Sequence, residues 1–180
     1  MSTVTSSNLI QGPATLYVGA FGATEPTDVA TSPGAGWSDI GGTRDGVELM
    51  IAKEYAVLSV DQIVDEIGRT VTSRKVSIKT VLAEATLANL ARAVNETAPA
   101  SNVFTPDTGL AAFRPPYQAV LLDGIAPGGF RRRIIVRKVL ATDSVGTAYK
   151  KDGMTVIPVT FTGHWVSTSI APFLVTDATA

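Results

Sequence analysis

The sequence predicts a mostly β domain, an antiparallel β-sandwich or partial barrel with one flanking α-helix. Three observations carry that prediction. Several stretches are rich in Val, Ile, Thr, Tyr and Trp with partial period-two alternation, Gly and Pro clusters punctuate them, and only one stretch spaces its apolar residues as a helix does. Six to eight strands and one helix fit a two-layer, mainly antiparallel architecture.

The elements follow in chain order. Residues 1–12, rich in Ser and Thr and followed by Pro13, read as an N-terminal arm, and 13–165 as the β domain. Ala14-Thr15-Leu16-Tyr17-Val18-Gly19-Ala20 is a short strand, 21–36 a Gly/Pro-rich loop, and Trp37 to Ile40 a second strand ended by Gly41-Gly42. Residues 46–60 and 69–80 read as two long antiparallel strands joined by a protruding acidic connection at 61–68. In the second strand Val76 and Ile78 face one way, and Lys75, Ser77 and Lys79 the other. The helix is expected near 82–95, with Ala83, Leu87, Leu90, Ala91 and Val94 as its stripe, Glu84 in its first turn and Arg92 in its last. Further strands are expected at 117–122, 130–143 and 154–165, and a C-terminal arm at 166–180.

Composition narrows the function classes. The 180 residues are 45% hydrophobic and only 17% charged, a sticky surface for a monomer that points to coverage by partners. The net charge of −1 lacks the basic surplus of a nucleic-acid clamp. With no cysteine, disulfides and thiolate metal sites are out, and a single histidine excludes multi-histidine metal sites. No stretch reads as a signal peptide or reaches the roughly 20 apolar residues of a bilayer span, so no membrane partner is expected. No cofactor is expected either: Pro33-Gly34-Ala35-Gly36 precedes no helix and lacks the lysine of a phosphate loop. His164, a lone histidine in a chain without cysteine and with no obvious Asp or Ser partner nearby in sequence, reads as structural, so no catalytic group is named. Trp37, Trp165, Tyr17 and Phe161 read as anchors of the core or of an interface.

Two charged groups stand out. Glu48, Glu54, Asp61, Asp65 and Glu66 lie on or beside the long hairpin. Arg131, Arg133 and Arg137 would share one side of a strand, with Arg132 and Lys138 on the other. That alternation splits the basic patch, so pairing with acids of a neighbouring subunit is favoured over DNA binding. A solvated hairpin tip and an exposed strand face are the plain alternatives for the two groups.

Gly12-Pro13-Ala14-Thr15-Leu16-Tyr17-Val18-Gly19, then Trp37-Ser38-Asp39-Ile40-Gly41-Gly42-Thr43 with Asp45-Gly46-Val47-Glu48-Leu49, resembles the opening of siphophage major tail proteins. Tyr55 through Val60-Asp61-Gln62, Arg69-Thr70-Val71-Thr72-Ser73-Arg74 and Leu82 to Leu90 resemble the same family, particularly forms from actinobacterial phages. The likeness covers most of 12–95, more weakly 117–165, and rests on order and spacing rather than on a chemical motif.

The resemblance implies a tail-tube-like β-sandwich that closes into hexameric rings, stacked into a conduit for viral DNA during ejection. It also implies a virion location after synthesis in a bacterial cytoplasm. Implied partners are other copies of the chain, the tape measure, terminator and distal tail proteins, and DNA in transit. The hairpins at 46–80 and 130–163 would then wall the lumen, while 61–68, 21–36 and both arms would touch the next ring. The five acids become lumen or ring-contact candidates, since acidic side chains toward a bore would keep phosphates from sticking. Rival readings are another virion β-protein, such as a capsid decoration or tail-completion subunit, and a monomeric β-sandwich module that binds a small ligand or glycan.

Overall fold

A computed structural model describes residues 3–178. Eight strands form a single antiparallel sheet: β1 (Thr15–Ala20), β2 (Trp37–Asp39), β3 (Thr43–Leu58), β4 (Gly68–Leu82), β5 (Gln118–Ile125), β6 (Arg131–Ala141), β7 (Ile157–Gly163) and β8 (Phe173–Asp177). The order is β2-β1-β5-β6-β7-β4-β3, and β8 pairs with β6. β6 therefore shares one edge between two partners. Its residues Val139–Ala141 pair with β7, and Arg132–Val136 pair with β8.

The sheet curls without closing. Val47 and Leu49 of β3 line one hollow with Leu122 of β5 and Ile134 of β6. In a flat sheet β3 and β5 would stand four strand spacings apart, roughly 19 Å. Curling lets the side chains of both halves meet in one core, with Leu16, Ile78, Val120, Val136, Ile157 and Phe161 all buried. The alternation of β1 decides which side each residue serves. Leu16 and Val18 enter this core, while Tyr17 packs on a smaller cluster of Trp37, Leu121 and Ile135 across the sheet. Gly163 sits where β7 passes between β4 and β6. A Cβ there would collide with Val76 Cγ1 and lie 3.0 Å from Val136 Cγ1, so only glycine lets the strands approach this closely.

The helix α1 spans Leu87–Ala93, shorter than the expected 82–95. Residues through Leu82 continue β4, because Leu82 and Ile157 complete its ladder with β7. Thr86 then caps the helix by accepting from the Asn89 amide, 3.2 Å away. Glu84 thus precedes the helix, and its carboxylate accepts the Gly42 amide. Asn95, at φ 58°, ends the turn, and its side-chain amide exchanges two 2.7 Å bonds with the Ala141 backbone. Buried Asn89 donates to the carbonyls of Ile40 and Glu84, which ties the helix to the β2–β3 corner.

Two sequence expectations need correction here. The stretch read as a C-terminal arm carries β8, held on β6 by five register pairs and by the bidentate Arg132–Asp177 ion pair at 2.6 and 2.7 Å. Residues 179 and 180 of that arm, like residues 1 and 2 of the N-terminal one, lie outside the described residues. The 130–163 hairpin is narrow: β6 and β7 pair over three residues and are separated by the long 142–156 connection.

Candidate assembly surface

β3 and β4, 16 and 15 residues long, are by far the longest elements of the chain. Only the inner part of their ribbon is supported. β4 pairs with β7 along Ser77–Leu82, while β3 pairs with β4 alone and keeps its outer edge free. Past Val76 the ribbon has no third strand among the described residues, and residues 50–67 are all exposed. Two irregularities tune its twist. One is at Asp45-Gly46, both at positive φ, and the other lies between Glu54 and Tyr55, where β4 carries an extra residue.

The exposed ribbon is apolar to a degree unusual for solvated β structure. Tyr55 and Val57 face the same way as Leu49 and Ile51, across from Val71, and each is about half exposed. Met50 and Leu58 lie on the opposite face, also half exposed. The connection at 59–67 adds Val60, Ile63, Val64 and Ile67, and Val64 is fully exposed at 105%. An isolated two-stranded ribbon is marginally stable in water, and a free strand edge is a template for pairing. A surface of this kind is suited to being covered.

The acidic candidates fall into two places. Glu48 and Glu54 lie on one face of β3, but Lys79 stands directly opposite Glu48, and Lys75 occupies the same face. Two lysines balance two glutamates, so this face is charge-mixed rather than acidic. Thr160 and Thr162 of β7 extend it, paired with Lys79 and Ser77. Asp61, Asp65 and Glu66 sit together in the exposed connection. There Glu66 takes a bidentate contact from Arg69, whose pKa is raised by that bond.

The basic candidates are corrected more sharply. Arg133 is 3% exposed and spends its guanidinium within its own chain. It binds both carboxylate oxygens of Asp123, at 2.6 and 2.7 Å, and the carbonyls of Asp28 and Thr31, at 2.7 and 2.9 Å. Arg137 likewise binds Glu25 at 2.6 and 2.9 Å and the Ala171 carbonyl at 2.7 Å. Both face the 21–36 loop, which folds over this side of β6 and brings the acceptors with it. Neither guanidinium is left to reach a neighbouring subunit. Arg131 is exposed and has no ion pair among the described residues.

The 21–36 loop is therefore anchored rather than free. Besides the two arginines, Trp37 donates its indole N–H to the Thr24 carbonyl at 2.9 Å, and Asp28 accepts from the amides of Ala30 and Thr31. Those bonds, the Thr31 amide first, hold the Asp28 carboxyl below its ordinary range.

The remaining sequence candidates do not assemble a reactive centre. His164 lies with its ring edge-on to Tyr117, 5.7 Å between centroids, and its Nε2 has no hydrogen-bond partner among the described residues. Burial, then Lys138 and Lys75, push its pKa down, which keeps it neutral. Among the described residues no three His, Asp or Glu side chains gather as metal ligands, and no helix is long and apolar enough to cross a membrane. Phe161 and Trp37 are core anchors as expected, whereas Trp165 is 69% exposed.

Sequence reasoning missed two contacts, of which one had a readable signal. A hairpin turning at Pro127–Gly129 sets Asp123 opposite Arg133, as the register shows. The pairing of Arg132 with Asp177 had no such signal, because it depends on the C-terminal residues returning as a strand. In comparisons with known proteins, no family model and no curated protein matches the chain.

Proposed function

We propose that this chain is the repeating subunit of a phage tail tube, a structural protein that self-associates into stacked rings around a DNA conduit. The reading joins the resemblance carried by residues 12–95 to one structural observation. That observation is the β3–β4 ribbon, whose free edge and exposed apolar side chains are left for neighbours to cover. Side-by-side copies can pair the open edges at β3 and β2, and a ring of such copies leaves no edge exposed. The charge-mixed face of Glu48, Glu54, Lys75 and Lys79 then lines the bore. Balanced charges there would let a polyanion slide, since no run of cations is available to release many counterions at once.

Negative-stain microscopy of the purified, concentrated chain tests the reading. Hollow filaments of uniform diameter are the expected result. Single closed rings or trimers that never stack would instead fit a decoration or tail-completion subunit. A species that stays at 18.8 kDa in sedimentation at every concentration and salt would rule out self-assembly.

A further inference from the structure

The two ends of the β3–β4 ribbon differ in a way that suggests how one copy meets the next. At one end, beyond Leu58 and Gly68, the connection presents fully exposed Val64 among Ile63, Asp61 and Asp65. No Lys or Arg occurs between residues 59 and 68. At the other end, beside the Arg44–Val81 pair, the 142–156 connection folds against the ribbon and leaves a hollow of about 390 Å³. Its lining is apolar through Val81, Met154, Val156 and Pro158, and charged through Arg44, Lys150 and the acid Asp45. A neighbouring hollow, which shares Arg44 and Asp45, adds Lys79 and Glu48. Three cations thus face two carboxylates. Lys79 and Lys150 have no ion pair among the described residues, and Arg44 reaches only Asp45, at 3.9 Å.

We infer that the 59–67 connection of one copy seats in this hollow of a second copy, with Ile63 and Val64 in the apolar floor and Asp61 and Asp65 against Arg44 and Lys150. The inference rests on the reading of the chain as a self-assembling subunit and names the two surfaces that stack. Donor and acceptor lie at opposite ends of one ribbon, so the contact is head-to-tail. It satisfies no copy completely and repeats without limit, which makes a filament rather than a closed dimer. The ladder from Arg44 to Leu58 runs fourteen residue steps at roughly 3.3 Å, about 45 Å, and that length sets the scale of the axial repeat. Apolar burial supplies the attraction, and the charges fix the register and reject a reversed subunit.

The chain contains no cysteine, which permits a direct test with the full-length protein. In a V64C/A148C variant the two thiols stand at opposite ends of one subunit, so a disulfide can form only between copies. Mild oxidation of the assembled variant should give a ladder of covalent multimers on a non-reducing gel. The single-cysteine variants give at most dimers. Separately, D61K/D65K and R44E/K150E should each lower the sedimentable polymer about tenfold or more, and the two combined should restore it. All these positions are exposed, so thermal melts of the unassembled variants should match the parent. Polymers that form without a disulfide ladder and withstand both charge reversals overturn this contact while leaving the tube reading intact. An unaltered chain that never associates overturns both.

Discussion

Replacing Arg133 with Met asks whether this side chain serves its own subunit or a neighbour. The substitution keeps a long apolar stem and deletes four hydrogen bonds, two to Asp123 and one each to the carbonyls of Asp28 and Thr31. Breaking a buried ion pair by removing one partner costs about 3–5 kcal/mol, because the remaining charge is left uncompensated. Asp123 keeps 18% side-chain exposure, so water can recover part of that loss and the low end, about 3 kcal/mol, applies. For a chain of this size each kcal/mol shifts the melting temperature by roughly 2–4 °C, which gives a drop of about 6–12 °C. The assay is denaturant and thermal unfolding at a concentration low enough that no assembly is present. Adding D123L should recover much of the loss, since an apolar pair can replace a buried ion pair at small cost, and should leave only the missing loop anchor. A loss below about 1 kcal/mol in the dilute chain would refute the intrasubunit assignment, as would a loss seen only in assembled material.

The same structure leads to two further expected outcomes. Acid should loosen the 21–36 loop and β8 together. The Thr31 bonds to Asp28, and the Arg132 bond to Asp177, hold both carboxyls below 3.8 only in the folded chain, so the unfolded chain binds those protons more tightly. Their contribution is complete above 3.8 and is lost as pH falls through the lower folded-state values. Trp37 emission and unfolding midpoints should show this, and a D28A/D177A variant with an unchanged acid slope would contradict it. Gly163→Ala should cost about 1–3 kcal/mol from the clash with Val76 and Val136, whereas Gly34→Ala, which meets nothing within 4 Å, should stay within about 0.5. Equal midpoints for the two alanine variants would refute the close-approach account.

The parts of the fold that local chemistry decides were readable in advance. Alternation in 69–80 placed Val76 and Ile78 inward and Lys75 and Lys79 outward, and the register agrees. The exposed acidic connection was visible as a polar break between two β-rich runs. Where long-range pairing decides, local signals fell short. Leu82 belongs to β4 because Ile157 pairs with it, although its neighbours carry helical spacing. Phe173–Asp177 is a strand because the edge of β6 lies open beyond Val139. The arginines misled for a related reason. Arg133 and Arg137 do share a face, but the ladder shifts register at Arg137-Lys138, and nothing local announces that a loop a hundred residues earlier folds over that face with Glu25 and the Asp28 and Thr31 carbonyls. The five acids likewise formed one group along the chain, and the ladder divides them between a mixed strand face and a loop.

Support for β4 changes abruptly along its length. From Ser77 to Leu82 it is clamped between two strands, and from Gly68 to Val76 it has one. A double-stranded ribbon twists and bends far more readily than a curled eight-stranded sheet with a filled interior. Compliance is therefore concentrated at one level of the molecule, near Gly163 where β7 stops. Linked through such ribbons, subunits would act as stiff beads on elastic couplings. The resulting fibre would curve under load by flexing its joints and leave each bead undeformed.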